Sequence, residues 1–301
     1  MASVGFTNYG GERTARAGTG IEGTIQDWIV TQQVAVIDVQ PATASPRVPV
    51  IFMPGFGIAA DSYLKTPDGR EGWAMDFVRR GHPAYLFEPS HSTRSGVDTG
   101  FYLRGDASAK LFSWGGDHVW RRWGLGPTPG VPFSDSRFPK DSWDKVVASF
   151  IGIEAPTIAG TQMVTHQVEA NLAGLHQLQT GKPRAVIIAH SAAGVSAFAF
   201  AGRHPDQVAA LVVVEPVGCP QSAVGVPVLA VFADHMEVRE QMLVRAEECK
   251  ATVAATRKAG ISADYWSLPE RGIAGNSHLL MMETNSKELA DLIATWIDDN
   301  A

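Results

Sequence analysis

The sequence predicts an α/β protein built around a mostly parallel sheet, and three observations support that prediction. Wholly apolar runs at 48–53 and 210–214 are typical of strands that are buried on both faces. Helical patterns at 71–80 and 162–179 alternate with such runs, and this alternation favours parallel pairing. The 301 residues suffice for one large domain, 1–301, with a substantial core.

The remaining elements follow from the same patterns. Residues 1–22 are rich in Gly, Thr and Arg and are expected to form a loose leader. Residues 24–40 contain the alternating run VAVIDV, which predicts a strand or hairpin at a sheet edge. Further strands are expected at 84–87, 185–189, 210–216, 226–234 and 262–268, with helices at 237–257 and 285–298.

The regular alternation is interrupted between about 90 and 160, where Gly, Pro, Trp and Phe are dense. A structureless loop of this length inside a compact domain is improbable unless it is functional. We therefore predict that 96–161 is a cap inserted over the edge of the sheet. Its aromatic residues either line an apolar or aromatic substrate pocket or only anchor the loop. The candidate pocket residues are His91, Trp114, His118 and Trp120.

Composition and charge exclude several classes of partner. The formal net charge of −6 does not favour nucleic acid or an anionic membrane, and no apolar run is long enough to span a bilayer. The N-terminus shows no signal-peptide pattern, so a cytoplasmic location is expected unless a signal has been removed. Cys219 and Cys249 are expected to be packed thiols, with a bridge as the alternative in an exported protein. Neither a metal nor a cofactor is expected.

The stretch RAVIIAHSAAG, residues 184–194, is the most informative in the chain. A short buried strand turns into a helix with Ser191 at the apex, which is the arrangement of the nucleophile elbow in α/β-hydrolases. The usual motif is G-x-S-x-G, and here Ala189 and Ala193 take the outer positions. Their small side chains still suit a strained turn. The alternative is an ordinary serine in a loop between strand and helix.

A serine nucleophile requires a base, and the base requires a carboxylate to orient it. In this fold the chain order is serine, acid, histidine, and His278 stands on a small, polar loop before the last helix. Two carboxylates follow buried strands at the end where ligand sites gather, namely Glu215 and Asp234. Glu215 ends a buried run and needs a polar partner, whereas Asp234 could cap the next helix. The residues alone leave the choice open.

The negative oxygen that develops during acyl transfer needs two N–H donors. The backbone N–H of Ala192, directly after the serine, is one candidate. The other is the N–H of Phe56, which lies between Gly55 and Gly57 after the strand at 48–53. Pro54 in the same loop has no N–H to offer.

These residues resemble bacterial α/β-hydrolase esterases that use a Ser-His-Glu triad. The resemblance is carried by MPGFG, by TPDGREGW at 66–73, by the TRSG turn at 93–96 and by the tail GIAGNSHLLMMETNSKELADLIATWI. It extends over about 48–299 and is weakest in the predicted cap. In those esterases the acid is a glutamate after the strand that follows the elbow, which implies Glu215. The chain departs from them at Pro54, where a histidine is common, and in EPSHSTRSG, which places His91 near the site.

The function expected is therefore a serine hydrolase that cleaves carboxylic esters of small apolar or aromatic substrates through an acyl-enzyme. Alternatives are the same triad acting on an amide, a lactone or a carbon–carbon bond, and a non-catalytic binding protein of the same fold. A serine at the elbow argues against the dehalogenase and epoxide hydrolase reactions, which use an aspartate there. The expected partner is a small-molecule ester, and the resemblance implies a homodimer.

Overall fold

A computed structural model describes residues 2–20, 23–105, 110–155, 161–178 and 184–301. Its centre is an eight-stranded sheet in the order β1-β2-β4-β3-β7-β8-β9-β10. The strands from β4 to β10 run parallel, and β1 and β2 pair antiparallel at one edge. The strands are β1 Ser3–Gly20, β2 Gly23–Gln40, β3 Val50–Met53, β4 Ala84–Phe87, β7 Ala185–His190, β8 Val208–Val214, β9 Val228–Phe232 and β10 Ala263–Ser267.

Helices cover both faces of the sheet and confirm the predicted α/β class. Every residue of β3, β4, β7, β8 and β9 is buried, as their apolar runs require. Side chains from α1 and α8 pack on one face, and those from α5, α6 and α7 on the other. The bounds are α1 Trp73–Arg79, α2 Gly100–Leu103, α3 Gly116–Arg122, α4 Trp143–Ala148, α5 Thr161–Leu178, α6 Ala193–Arg203, α7 Glu240–Lys258 and α8 Ser286–Asn300. Within the described ranges, no helix combines the length and apolarity needed to cross a membrane.

The N-terminal segment corrects the sequence prediction. The expected loose leader is wrong, because β1 and β2 form a hairpin of two 18-residue strands. Paired backbone groups replace the core contacts that the polar and glycine-rich sequence lacks. The pairing skips Gly11 opposite Gln32, and both residues have positive φ, so the ribbon is irregular at that point. The predicted strand at 24–40 is confirmed.

The segment between β4 and β7 is held against the sheet. A small antiparallel pair, β5 Lys110–Phe112 and β6 Ile153–Ala155, brings its two ends together. Trp120 and Trp123 at its centre belong to the same buried cluster as strands β3 and β8. Residues 106–109 and 156–160 of the predicted insertion lie outside the described ranges. Its role as a cap stays a prediction.

Cys219 and Cys249 form a disulfide, so the expectation of two free packed thiols is wrong. The bond joins the loop after β8 to the middle of α7. The two residues are 30 positions apart in sequence, but α7 returns alongside that loop and leaves their Cα atoms 5.0 Å apart. The pairing could therefore be recognised only from the tertiary structure.

Candidate active site

Ser191 occupies a strained turn between β7 and α6. Its φ of 54° lies in the left-handed region, which residues other than glycine seldom adopt. Hydrogen bonds to the next strand hold the turn: the Ser191 N–H donates to the Val214 carbonyl at 3.0 Å. The Ser191 carbonyl in turn accepts from the Val217 N–H at 2.9 Å. The neighbouring chain thus fixes the serine at the C-terminal end of the buried strand.

The turn fits only because the residues around it are small. A Cβ on Gly55 would lie 2.7 Å from Nδ1 of His190 and 3.0 Å from Cβ of Ser191. A Cβ on Gly194 would lie 2.7 Å from Cβ of Pro216. Both distances are too short for ordinary carbon contacts. Ala189, which replaces the first glycine of the usual motif, is fully buried within β7.

Glu215 and His278 form a buried pair beside this turn. Oε2 of Glu215 lies 2.6 Å from Nδ1 of His278, and both residues are buried. Glu215 also has positive φ, at 43°, directly after β8. The loop that carries His278 is anchored by its N–H, which donates to the Trp123 carbonyl at 2.8 Å. Within the described ranges, Nε2 is the imidazole nitrogen that has no hydrogen-bond partner.

Arg239, which the sequence reasoning missed, completes the buried charge arrangement. Its guanidinium binds Glu215 in a two-pronged contact, with Nη1–Oε2 at 2.7 Å and Nη2–Oε1 at 3.1 Å. The arginine side chain is 0% exposed, and Nη2 also donates to the Asp234 carbonyl. The sequence did contain a signal for this residue. Arg239 directly precedes α7, and a positive charge is unfavourable there because the N-terminus of a helix is the positive end of its dipole. Its presence therefore indicates another role.

These contacts set the protonation states of the pair. Burial opposes ionisation of Glu215, but the charge of Arg239 and the hydrogen bond with His278 hold the pKa of Glu215 below its ordinary value. Burial lowers the pKa of His278, the contact with Glu215 raises it, and Arg239 lowers it further. The net direction for His278 is downward. Near neutral pH the pair is therefore a carboxylate beside a neutral imidazole that can accept a proton.

Asp234, the alternative acid, holds the histidine loop by its backbone. Its Oδ2 accepts the Gly275 N–H at 3.0 Å and its Oδ1 accepts the His235 N–H at 2.7 Å. The Asp234 N–H donates to the Asn276 carbonyl at 3.0 Å. Both carboxylate oxygens are thus engaged with backbone N–H groups, and the carboxylate in contact with the imidazole is that of Glu215.

His190 lies against the site instead of pointing into solvent. It is fully buried, and Nε2 donates to the His278 carbonyl at 2.9 Å. The two imidazole rings are 4.4 Å apart between centroids. Burial holds the pKa of His190 well below its usual value, so the ring is neutral and supports the histidine loop.

The two candidate donors for the oxyanion are unengaged. Among the described residues, neither the Phe56 N–H nor the Ala192 N–H has a hydrogen-bond partner. Gly57 has a φ of 76°, and a Cβ there would lie 2.6 Å from the Trp114 ring. Trp114 also donates its Nε1–H to the Phe56 carbonyl at 2.5 Å. The segment between β4 and β7 therefore fixes the loop that carries the first donor.

Two cavities meet at these donors, because Phe56 and Ala192 line both. The larger, of about 200 Å³, contains Ser191 and His278. The smaller, of about 50 Å³, is mainly apolar and includes Met53 in its lining. A substrate bound at Ser191 therefore has two spaces of different size available for its two parts.

The four candidate pocket residues are placed differently. Trp114 lines the larger cavity and the buried His91 lines the smaller. His118 is exposed and stacks on Trp114 with centroids 5.7 Å apart, and Trp120 packs on Trp143 in the core. Neither His118 nor Trp120 lines these two cavities.

A group of potential metal ligands in the described ranges, Asp135, Asp234 and His235, is already satisfied by the protein. Nε2 of His235 lies 3.1 Å from Asp135, and Asp234 accepts the two N–H groups described above. The contacts of this group give no indication of a bound ion.

Two known proteins are similar to this chain over most of its length. The solved structure of a novel bacterial esterase matches with a TM-score of 0.87 and 26% sequence identity, covering 99% of this chain and 96% of the esterase. A probable secreted lipase, phiG, from Fungal sp. (strain ATCC 74256), is 25% identical over 321 aligned positions, covering 85% of this chain and 83% of the lipase. No protein-family model matches the chain.

The chain has the α/β-hydrolase fold, as its strand order, its serine turn and the match to the bacterial esterase together show. Its predicted resemblance to esterases of this fold is confirmed. The likeness extends over nearly the whole chain for the esterase and over 85% of it for the lipase.

Proposed function

We propose that the protein is a carboxylic ester hydrolase in which Ser191, His278 and Glu215 are the nucleophile, the base and the acid. The observation that carries the proposal is the buried Glu215–His278 pair, because His278 lines the same cavity as Ser191, which is held in a strained turn. The likeness to an esterase and a lipase supports the same reaction class.

In the proposed first step, Oγ of Ser191 attacks the ester carbonyl carbon while its proton passes to Nε2 of His278. Glu215 accepts the Nδ1–H of His278, fixing the tautomer and stabilising the imidazolium that forms. The N–H groups of Phe56 and Ala192 hold the negative oxygen of the tetrahedral intermediate. His278 then returns its proton to the leaving alcohol, and the acyl group stays on Ser191.

In the second step, water attacks the acyl-enzyme. His278 removes a proton from the water, and the tetrahedral intermediate again places its oxygen against the two N–H donors. Collapse of the intermediate breaks the bond to Oγ of Ser191, which takes the proton back from His278. The carboxylic acid leaves, and the enzyme returns to its starting state with atoms and charge balanced.

The decisive test is Ser191→Ala with p-nitrophenyl acetate as substrate. We expect kcat/KM to fall by at least about 10⁴-fold, because the nucleophile is lost while the fold is retained. Circular dichroism and the melting temperature check the fold. A fluorophosphonate probe should label the wild type at Ser191 and leave the variant unlabelled.

Two outcomes would contradict the proposal. Turnover retained by Ser191→Ala would exclude this serine as the nucleophile. Wild-type protein that is neither labelled nor active on esters would favour a non-catalytic binding protein. A panel that includes an amide, a lactone and a β-diketone would show whether the same residues act on another bond.

We further infer a homodimer and an oxidising compartment. The hairpin of β1 and β2 exposes Phe6 and Trp28, by 76% and 50%, and such residues suit a contact surface. Light scattering would measure the mass in solution, and a monomer at micromolar concentration would contradict the dimer.

The Cys219–Cys249 disulfide supports the oxidising compartment, because such bonds persist mainly outside the cytosol. The fungal relative is described as secreted.

A further inference from the structure

Two guanidinium groups line the cavity that holds Ser191. Arg122 comes from the end of α3 and Arg245 from the first half of α7. The cavity also contains His278, so both cations share one space with the proposed nucleophile and base. The two arginines stand on different elements, and only the fold brings them together.

Neither guanidinium forms a direct ion pair within the part of the chain that the structure describes. Among the described residues, no carboxylate oxygen lies within 4.0 Å of Arg122 or Arg245. The contacts that exist are weak: Arg122 lies 5.8 Å from the Trp114 ring centroid, and Arg245 donates to Sδ of Met242 at 3.5 Å. Burial lowers the pKa of the half-buried Arg245, and the charge of Arg122 lowers it further. The more distant charges of Glu215 and Glu248 act in the opposite direction, but the net direction for Arg245 is downward.

This positive pair stands out against the rest of the molecule. The chain carries 31 acidic and 25 basic residues, so its overall charge is negative. Many of the other arginines have a carboxylate partner, as Arg94 does with Asp61 at 2.8 Å. Others bind backbone carbonyls, as Arg184 does with Val208 at 2.7 Å. Unpaired arginines that share a concave site are well suited to bind a carboxylate or phosphate, since the planar guanidinium matches two anionic oxygens.

The reaction geometry indicates which part of the substrate lies there. His278 must protonate the leaving alcohol, so the alcohol part occupies the cavity that His278 lines. The acyl part is then left with the smaller, mainly apolar cavity of about 50 Å³, which has room for only a short chain.

We propose that Arg122 and Arg245 form a subsite for an anionic group on the alcohol part of the ester, and that the preferred substrates are short-chain acyl esters of carboxylate-bearing alcohols or phenols. This inference rests on the proposed ester hydrolysis and adds its substrate class. It also modifies the expectation of an apolar or aromatic substrate: the aromatic wall at Trp114 is combined with two cations.

The test compares 4-acetoxybenzoate with its neutral analogue 4-acetoxybenzamide, together with the two 3-isomers. Each kcat/KM is divided by the rate constant for hydrolysis of the same ester by hydroxide. This division removes the difference in leaving-group reactivity between the esters. We expect the wild type to prefer the anionic ester by about tenfold or more, in line with one charged hydrogen bond. The preference should weaken as salt is raised. In 4-acetoxyphenyl phosphate a phosphate group takes the place of the carboxylate. Its kcat/KM shows whether the subsite prefers a carboxylate or a phosphate.

Variants locate the effect. The ratio of anionic to neutral kcat/KM should fall to about one in the double variant Arg122→Gln, Arg245→Gln. Arg245→Lys keeps the charge and should keep part of the preference. The matched control is Arg121→Gln, since Arg121 is an exposed neighbour of Arg122 that does not line the cavity. This control should keep the wild-type ratio.

The possible failures are distinguishable. A wild-type ratio near or below one, or a ratio that survives in the folded double variant, overturns the anionic subsite and leaves ester hydrolysis intact. If the wild type hydrolyses none of the acetoxy esters and does not hydrolyse p-nitrophenyl acetate, the proposed function is overturned. The anionic subsite is then overturned with it.

Discussion

At the scale of residues, Glu215 contributes to the site through three different contacts. It accepts from His278, from Arg239 and, at 3.0 Å, from the Ala233 N–H. A buried carboxylate without such partners would be strongly destabilising, because its charge would lose its hydration without compensation. The same contacts that make its burial tolerable also hold it ionised and aimed at the imidazole.

We expect Glu215→Gln to lower kcat by about 10³–10⁴-fold, since an amide cannot stabilise the imidazolium and favours the wrong tautomer. Asp234→Asn should lower kcat much less, because its carboxylate accepts backbone N–H groups, those of Gly275 in the histidine loop and of the adjacent His235. Steady-state kinetics on p-nitrophenyl acetate compare the two variants. A larger loss in Asp234→Asn would reverse the assignment of the acid.

Arg239 should act on the pH dependence of the reaction. His278 must be neutral to accept a proton, and its lowered pKa places the acid limb of kcat/KM below the ordinary histidine value of 6.5. Because Arg239 contributes to that lowering, Arg239→Gln should raise the pKa of His278 and move the acid limb to higher pH.

Arg239→Lys is the control for this prediction, since it retains the positive charge. It should leave the limb closer to that of the wild type, although one prong of the contact with Glu215 is lost. A uniform loss of activity at every pH in Arg239→Gln, with an unmoved limb, would show that the arginine supports only the structure.

At the scale of elements, the site depends on how closely the loop after β3 approaches the serine turn. Gly55 has no room for a Cβ between His190 and Ser191, and the next residue carries a candidate oxyanion donor. A small displacement of this loop would move the Phe56 N–H away from the developing charge. The catalytic elements are therefore coupled by backbone packing as well as by side chains.

Gly55→Ala should accordingly lower kcat/KM by about a hundredfold, which is typical of a misplacement near 1 Å. The control is Gly202→Ala in α6, where a Cβ meets nothing within 4 Å. That variant should keep full activity and gain slightly in stability, because alanine favours the helix. Unchanged activity in Gly55→Ala would mean that the loop tolerates the shift.

At the scale of the whole molecule, the disulfide links the two elements that carry the acid and its arginine. Cys219 lies four residues after Glu215, and Cys249 lies on the helix that begins just after Arg239. The bond closes a loop of about 30 residues in the unfolded chain and thereby reduces its conformational freedom.

Replacing both cysteines by alanine should lower the free energy of unfolding by about 3.6 kcal/mol, as the loop-closure entropy of this length implies. Urea denaturation monitored by tryptophan fluorescence measures the change. Wild-type protein treated with reductant should match the double variant, and titration of unreduced, unfolded wild type should find no free thiol. Two titratable thiols would contradict the bond.

Much of the fold could be predicted because it depends on local patterns. Buried strands such as β3, β7 and β8 are continuous apolar runs, and the helices between them show a regular period. The first strand of the N-terminal hairpin was not predicted, for a corresponding reason. Its strands are stabilised by pairing with each other over 18 residues each, so the glycine-rich β1 needs no apolar face that a pattern could reveal.

The sequence by itself determined the class of fold, the serine at the turn, the histidine before the last helix and a pair of candidate acids. These follow from chain order and from residue types whose chemistry is intrinsic. Tertiary structure decided which carboxylate meets the imidazole, that Arg239 neutralises it, that two cysteines bond and that Arg122 and Arg245 share one cavity. The physical reason is that charge neutralisation and contact depend on distance in space, and residues far apart in sequence come within a few ångströms only when the sheet and its helices have assembled.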